Sequence, residues 1–166
     1  LIYLFLSKDL RYFVFREFLH EEVKILNKSN CKLIIFPSQN ITSYQINKKS
    51  LSTIHDLMHR YEYQFSEYTK KIILERDIHY YNICNHCEGI LVDSKMGKSH
   101  VINSYNVKKN KIFPLPFITP KYLLKKSKVN VFKKFDIKEK YLFYPAQFWE
   151  HKNHINLVKA FKDVLK

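Results

Sequence analysis

The stretch CEGILVDSKMGKSHVINSY, residues 87–105, decides the fold. Gly89 stands where a helix stop is expected. Ile90-Leu91-Val92 is a short apolar run of the kind that forms a buried strand. Ser94 follows as an N-cap, and the pattern behind it reads as a helix to about Tyr105. A strand feeding directly into a helix is the repeating unit of a parallel sheet.

The same unit recurs outward in both directions. Upstream, residues 66–87 read as a long helix in which Ile73, Tyr80, Cys84 and Cys87 recur on one face. Before it lies a strand at residues 51–54, and earlier another at residues 33–36, stopped by Pro37. Downstream, Lys111-Ile112-Phe113 form a strand closed by Pro114 and Pro116. Residues 119–140 are polar, Lys-rich and weakly periodic, and read as a linker with one short helix near residues 131–135. Residues 141–144 then restart as a strand. After a loop, residues 153–166 read as a helix offering Ile155, Leu157, Val158, Phe161 and Leu165 for burial. The expectation is an α/β fold: a Rossmann-like parallel sheet with helices over residues 1–118, a linker, and the start of a second such domain at 141–166.

Composition bounds the function. With 166 residues, 46% of them hydrophobic, the chain has enough to bury one ordinary core. The chain starts at Leu1 and ends at Lys166 inside a helical pattern without a stop signal, so both ends are expected to be breaks in a longer protein. The formal charge of +14 suggests an anionic partner. Yet the cations are nearly all Lys, with Arg only at positions 11, 16, 60 and 76, and both Gly and Ala occur just twice. Abundant Ile, Asn, Lys, Tyr and Phe have AT-rich codons, so genome composition explains much of the charge. The odd count of three cysteines argues against a disulfide framework and for a reducing, cytoplasmic setting. No apolar run approaches the roughly 20 residues that cross a membrane; the opening LIYLFL reads as a strand.

Two segments carry candidate chemistry. In TIHDLMHRYEYQFSEY, residues 53–68, His55 and Asp56 occupy the carboxyl end of a strand, where open parallel sheets bind ligands. A His there can donate to a sugar hydroxyl or phosphate oxygen, and a carboxylate can hold a ring or hydroxyl. A polar strand end capping its own turn is the plainer reading of both, and His59 reads as a solvated loop residue. In YPAQFWEHKNHINLVKAF, residues 144–161, a tight loop with small Ala146 leads to Lys152 and a helix opened by Asn153. Unpaired N–H groups at a helix start, with a cation beside them, suit a diphosphate. The alternative is a surface lysine before an Asn cap.

The second segment resembles the opening of the C-terminal domain in the large family of retaining glycosyltransferases that includes sucrose synthases, mannosyltransferases and capsule or lipopolysaccharide transferases. Its members commonly show a strand, a small residue, a basic or polar residue, then Lys-Gly or Lys-Asn before the helix. PAQFWEHKNH here is similar to the PAQFWPHKNH of one bacterial branch, and the His-Asp strand end and the segments 90–94 and 112–116 resemble the family's N-terminal domain. The resemblance runs from about Leu51 onward. It implies a GT-B fold of two facing Rossmann-like domains, a nucleotide-sugar donor, and a sugar, lipid-linked or protein acceptor. It implies no metal and no other cofactor, cationic side chains and a helix end serving instead. By position, Lys152 would contact the donor diphosphate. Gln147 would replace a common Arg, and Ala146 a common Gly. Asn153 would open the helix at the donor, and His55 would face the transferred sugar beside Asp56. Such enzymes suggest a cytoplasmic protein, with peripheral contact to an anionic membrane at the inner face of the cell membrane. The family's later Glu-containing donor segment is not in these residues, and Glu150 stands where the similar variant has Pro.

Other classes fare less well. Cys84-Asn85-His86-Cys87 invites zinc, but a structural site needs about four ligands, and buried thiols on a helix face are the better reading. No nucleophile elbow is present, which argues against a serine hydrolase. A basic nucleic-acid-binding module has the charge and the 16% aromatic content behind it but no recognition motif, so nucleic acid is not the expected partner. A non-catalytic remnant of a glycosyltransferase is the third reading.

Overall fold

The computed structural model describes residues 21–125 and 129–165. The strand expected at residues 1–6 lies outside them. The chain divides into two compact units: the residues through Tyr63 with Tyr68–Pro116, and Gln64–Glu67 with the residues from Phe117 onward.

In the first unit, helix α1 (Glu21–Lys28) precedes β1 (Leu33–Phe36), a 3-10 turn (Ile41–Tyr44) and β2 (Lys49–Ile54). Then come α2 (Met58–Tyr61), α3 (Lys70–His86), β3 (Gly89–Val92), α4 (Lys95–Tyr105) and β4 (Ile112–Pro114). The four strands form one parallel sheet in sequence order. Register places Phe36 beside Ser52, Ser52 beside Ile90 and Ile90 beside Ile112, so alternate positions along each strand share a face. On that face Ile54, Ile90, Val92 and Ile112 pack with Tyr80, Ile83, Cys84 and Cys87 of α3 and Val101 of α4. Each such buried aliphatic side chain contributes roughly 1.5–3 kcal/mol. Val23 of α1 closes a smaller cluster with Phe36 and Ile46. The opposite face keeps Leu33, Ile35 and Phe113 exposed.

Caps explain the helix limits. α3 begins at Lys70, later than the apolar pattern suggests, because Thr69 Oγ1 accepts the Ile72 N–H at 3.3 Å. Ser94 caps α4 as expected, its Oγ accepting from Gly97 N at 3.0 Å, and left-handed Asn106 ends that helix. Gly89, expected as a helix stop, is instead the first residue of β3, and α3 ends on Cys87 in an extended conformation. What Gly89 supplies is room: a Cβ there would lie 2.7 Å from Leu51 Cδ2 and 2.9 Å from Phe113 Cε2.

The second unit holds a 3-10 turn (Lys121–Leu124), α5 (Val131–Lys134), a 3-10 turn (Glu150–Lys152) and α6 (His154–Val164). Tyr141, Leu142, Phe143 and Tyr144, expected as a strand, belong to no ladder and are all exposed. A strand needs a neighbour for its hydrogen bonds, and the unit offers none among the described residues. For the same reason the apolar side of α6 is uncovered: Ile155 and Val158 are 71% and 67% exposed.

Where α3 meets the first 3-10 turn, Tyr44 Oη and His79 Nδ1 are 3.1 Å apart. Burial, with help from the neighbouring Arg76 cation, pushes the His79 imidazole down to about 4. An unfolded His protonates near 6.5, so between these values only the unfolded chain takes up the proton. Stability is therefore expected to be full above pH 6.5 and to decline toward pH 4, by roughly 3 kcal/mol from this group. Urea unfolding at pH 7 and pH 4.5 should show a smaller difference for His79→Gln than for the wild type. An equal difference would contradict the assignment.

Candidate functional site

The carboxyl edge of the sheet is built by register. Ile54 of β2 pairs with Val92 of β3, so the next residues, His55 and Asp93, leave the sheet side by side. His55 Nδ1 lies 3.2 Å and 3.3 Å from the two Asp93 oxygens, with both side chains about a third exposed or less. One strand over, Thr53 Oγ1 donates to Phe36 O at 2.8 Å and ties β2 to the end of β1.

Asp56 turns toward the helices. Its Oδ1 accepts the Met58 N–H at 2.9 Å, which starts α2, and the Arg76 guanidinium at 2.7 Å. Arg76 also donates to Tyr80 Oη at 2.8 Å and lies over the Tyr68 and Tyr80 rings. Burial pushes the Tyr80 phenol up to about 12, so it stays neutral and accepts. Asp56 therefore holds a turn and a cation, with its side chain still 41% exposed at this edge.

His59 is not a solvated loop residue. The turn begun at Asp56 carries it inward, and it is 1% exposed. Its Nε2 donates to Asp77 Oδ1 at 2.9 Å, and Arg60 Nε and Tyr105 Oη reach the same oxygen at 2.6 Å and 3.0 Å. Burial lowers the His59 pKa despite the Asp77 hydrogen bond. Beside this network is an open depression of about 490 Å³, lined among others by Arg60, Tyr61, Tyr63, Asp77 and Asn103.

The sequence reading missed Asp93 and Arg76. Asp93 follows β3 as His55 follows β2, so the rule that found His55 applied equally to it. Arg76 carried a weaker signal: in a Lys-rich chain it and Arg60 are the two described arginines, and each fixes an aspartate.

The Lys152 loop is held by its own backbone. Lys152 N donates to Trp149 O at 3.0 Å, Asn153 N to Glu150 O at 2.9 Å, and Tyr144 Oη to Lys152 O at 3.0 Å. Ala146 is half-buried and its N–H donates to Tyr144 O at 2.9 Å, while Gln147 is exposed. Lys152 is half-buried, and its Nζ has no hydrogen-bond partner among the described residues. Asn153 is left-handed, with φ 57° and ψ 39°, and its side chain does not cap α6. Gly and Asn are the residues that enter this conformation at least strain, which gives a physical reason for Lys-Gly or Lys-Asn at such a loop. The first N–H groups of α6 are left without a side-chain cap. A depression of about 370 Å³ there is lined by Phe148, Trp149, Glu150, Asn153, His154 and neighbouring residues, but not by Lys152.

Glu150 also finds an account. Its carboxylate accepts the Ser66 N–H at 3.0 Å, which holds its pKa low, and Glu67 pairs with the His151 imidazole next to it. The acid anchors the stretch Gln64–Glu67 within this unit. Cys84 and Cys87 are buried in the core, and burial pushes the Cys84 thiol up to about 12 and the Cys87 thiol up as well. Among the described residues no cluster of His, Cys, Asp or Glu is arranged to hold a metal, and no helix is long and apolar enough to cross a membrane. No protein-family model, curated protein or solved structure matches the chain.

Proposed function

We propose that the chain is part of a GT-B glycosyltransferase that moves a sugar from a nucleotide-diphosphate sugar to a hydroxyl of a sugar, lipid-linked or protein acceptor. The observation that carries the reading is the Lys152 loop: an ammonium without a partner among the described residues, then a left-handed Asn153, then a helix of 11 residues with no side-chain cap. Together these supply a full charge and a set of directed N–H donors for a diphosphate, without a glycine-rich loop. His55 and Asp56, at the carboxyl edge of a parallel sheet, supply the polar groups for the sugar. In this reading residues 1–118 serve the acceptor side and residues 141–166 open the donor side. Neither a metal nor another cofactor takes part.

The test is transfer of a radiolabelled sugar from a panel of UDP-, GDP- and ADP-sugars, using the polypeptide that contains this sequence with a complete donor-binding domain. Transfer from one of them, with release of the nucleoside diphosphate, is the expected result. Absence of transfer and of nucleotide binding across the panel would refute the reading.

A further inference from the structure

The contact between His55 and Asp93 says more than that two polar residues meet. A carboxylate only accepts hydrogen bonds, so the imidazole nitrogen facing it carries the proton. That nitrogen is Nδ1, centred between the two Asp93 oxygens at 3.2 Å and 3.3 Å. In a neutral imidazole the other nitrogen, Nε2, then bears a lone pair. The pair is also rigidly mounted. His55 is fixed by the β2–β3 register, and Asp93 lies between the last residue of β3 and Ser94, the cap of α4. Beyond His55, Asp93 has no partner among the described residues. Its carboxylate is thus committed to one task, on a framework that sets the ring's position from both sides.

We propose, resting on the transferase reading of this same edge, that Asp93 is the positioning residue for His55. It holds the imidazole as the Nδ1–H tautomer and makes Nε2 an acceptor. An acceptor at that point takes a donor hydroxyl of the transferred sugar and rejects a phosphate oxygen, which has only lone pairs to offer. His55 then sorts sugar from phosphate at this edge.

The tautomer is read directly from long-range ¹H–¹⁵N correlation spectra of the ¹⁵N-labelled 166-residue chain. Wild type should show the neutral His55 imidazole as the Nδ1–H tautomer. Asp93→Ala should lose that signature and move toward Nε2–H. Asp93→Asn, which keeps the side-chain shape, serves if the alanine variant does not fold; its amide can donate to Nδ1 as well as accept, so a mixture is expected. A merely structural contact would change stability without changing the tautomer. His55 found as Nε2–H in wild type, or Nδ1–H persisting in a folded variant, overturns the proposal. Because no substrate enters this measurement, such a failure leaves the transferase reading standing. Absence of sugar transfer by the complete wild-type enzyme would sink that reading without altering the tautomer.

Discussion

On the proposed transferase reading, Lys152→Ala is expected to lower the turnover of the complete enzyme by about 10²–10³, or roughly 3–4 kcal/mol in barrier, while leaving the fold intact. As the bond to the sugar breaks, negative charge grows on the departing nucleoside diphosphate. A cation that binds more strongly to that growing charge than to the bound donor lowers the barrier; one that holds both equally does not. Lys152 is suited to this because no carboxylate among the described residues neutralises its Nζ, although the residue is half-buried. Lys152→Arg should recover part of the rate, since it keeps the charge but changes its geometry. His55→Ala should lose less than Lys152→Ala, through a contact to the sugar and not to the leaving group. The check is steady-state kinetics with circular dichroism as the control for folding. Wild-type turnover in a folded Lys152→Ala enzyme would remove the chemical case for the transferase and move the nucleic-acid and non-catalytic readings ahead.

What the sequence disclosed follows the range of the interactions concerned. All four strands of the sheet were readable as short apolar runs between breakers, because a parallel strand buried by its helices needs little else. The strand edges were less legible: Gly89 reads as a helix stop yet opens β3, Pro114 reads as a breaker yet ends β4, and Lys49 and Ser50 look like loop although Ser50 is buried with its Oγ donating to Ser43 O at 2.6 Å. Ser94 was readable because its capping bond spans three residues. Asp93 was within reach of the strand-end rule that found His55, but its pairing with His55, 38 residues away, comes only from sheet register, and Arg76 meets Asp56, 20 residues away, only through helix packing. The same limit explains His59, whose burial depends on Asp77 in another helix. Residues 141–144 failed in the opposite sense. Their composition is that of a strand, but a strand is a property of pairs, and no second strand lies beside them in the described unit.

Asp77→Ala is expected to destabilise the first unit by about 2–4 kcal/mol, below the full value for a buried ion pair because the Asp77 side chain is 29% exposed. One oxygen of Asp77 serves three donors: His59 Nε2, Arg60 Nε and Tyr105 Oη. These come from α2 and α4 while Asp77 sits on α3, so the carboxylate joins three helices. His59 is the most exposed to its loss. The ring is 1% accessible, its Nδ1 already has no partner among the described residues, and without Asp77 its Nε2 would have only Tyr105 Oη at 3.5 Å. Arg60 would keep its contact with Ser104 O at 3.4 Å and its place over the Tyr105 ring, which softens the effect on that side. The effect also has a pH signature. Burial works against the Asp77 carboxylate, but hydrogen bonds from Arg60, His59 and Tyr105 outweigh it and hold the pKa below 3.8. A depressed carboxylate stabilises above its unfolded pKa and stops doing so as pH falls through the folded one. The gap between wild type and variant should therefore be full near neutral pH and narrow below about pH 4. Urea unfolding at pH 7 and pH 3 measures both. A gap under about 1 kcal/mol at neutral pH would show the network to be incidental, since surface pairs are worth that little. The result also governs how transferase variants are compared. His59→Ala should lose activity through unfolding, so its rate must be scaled to the folded fraction before it is set beside Lys152→Ala.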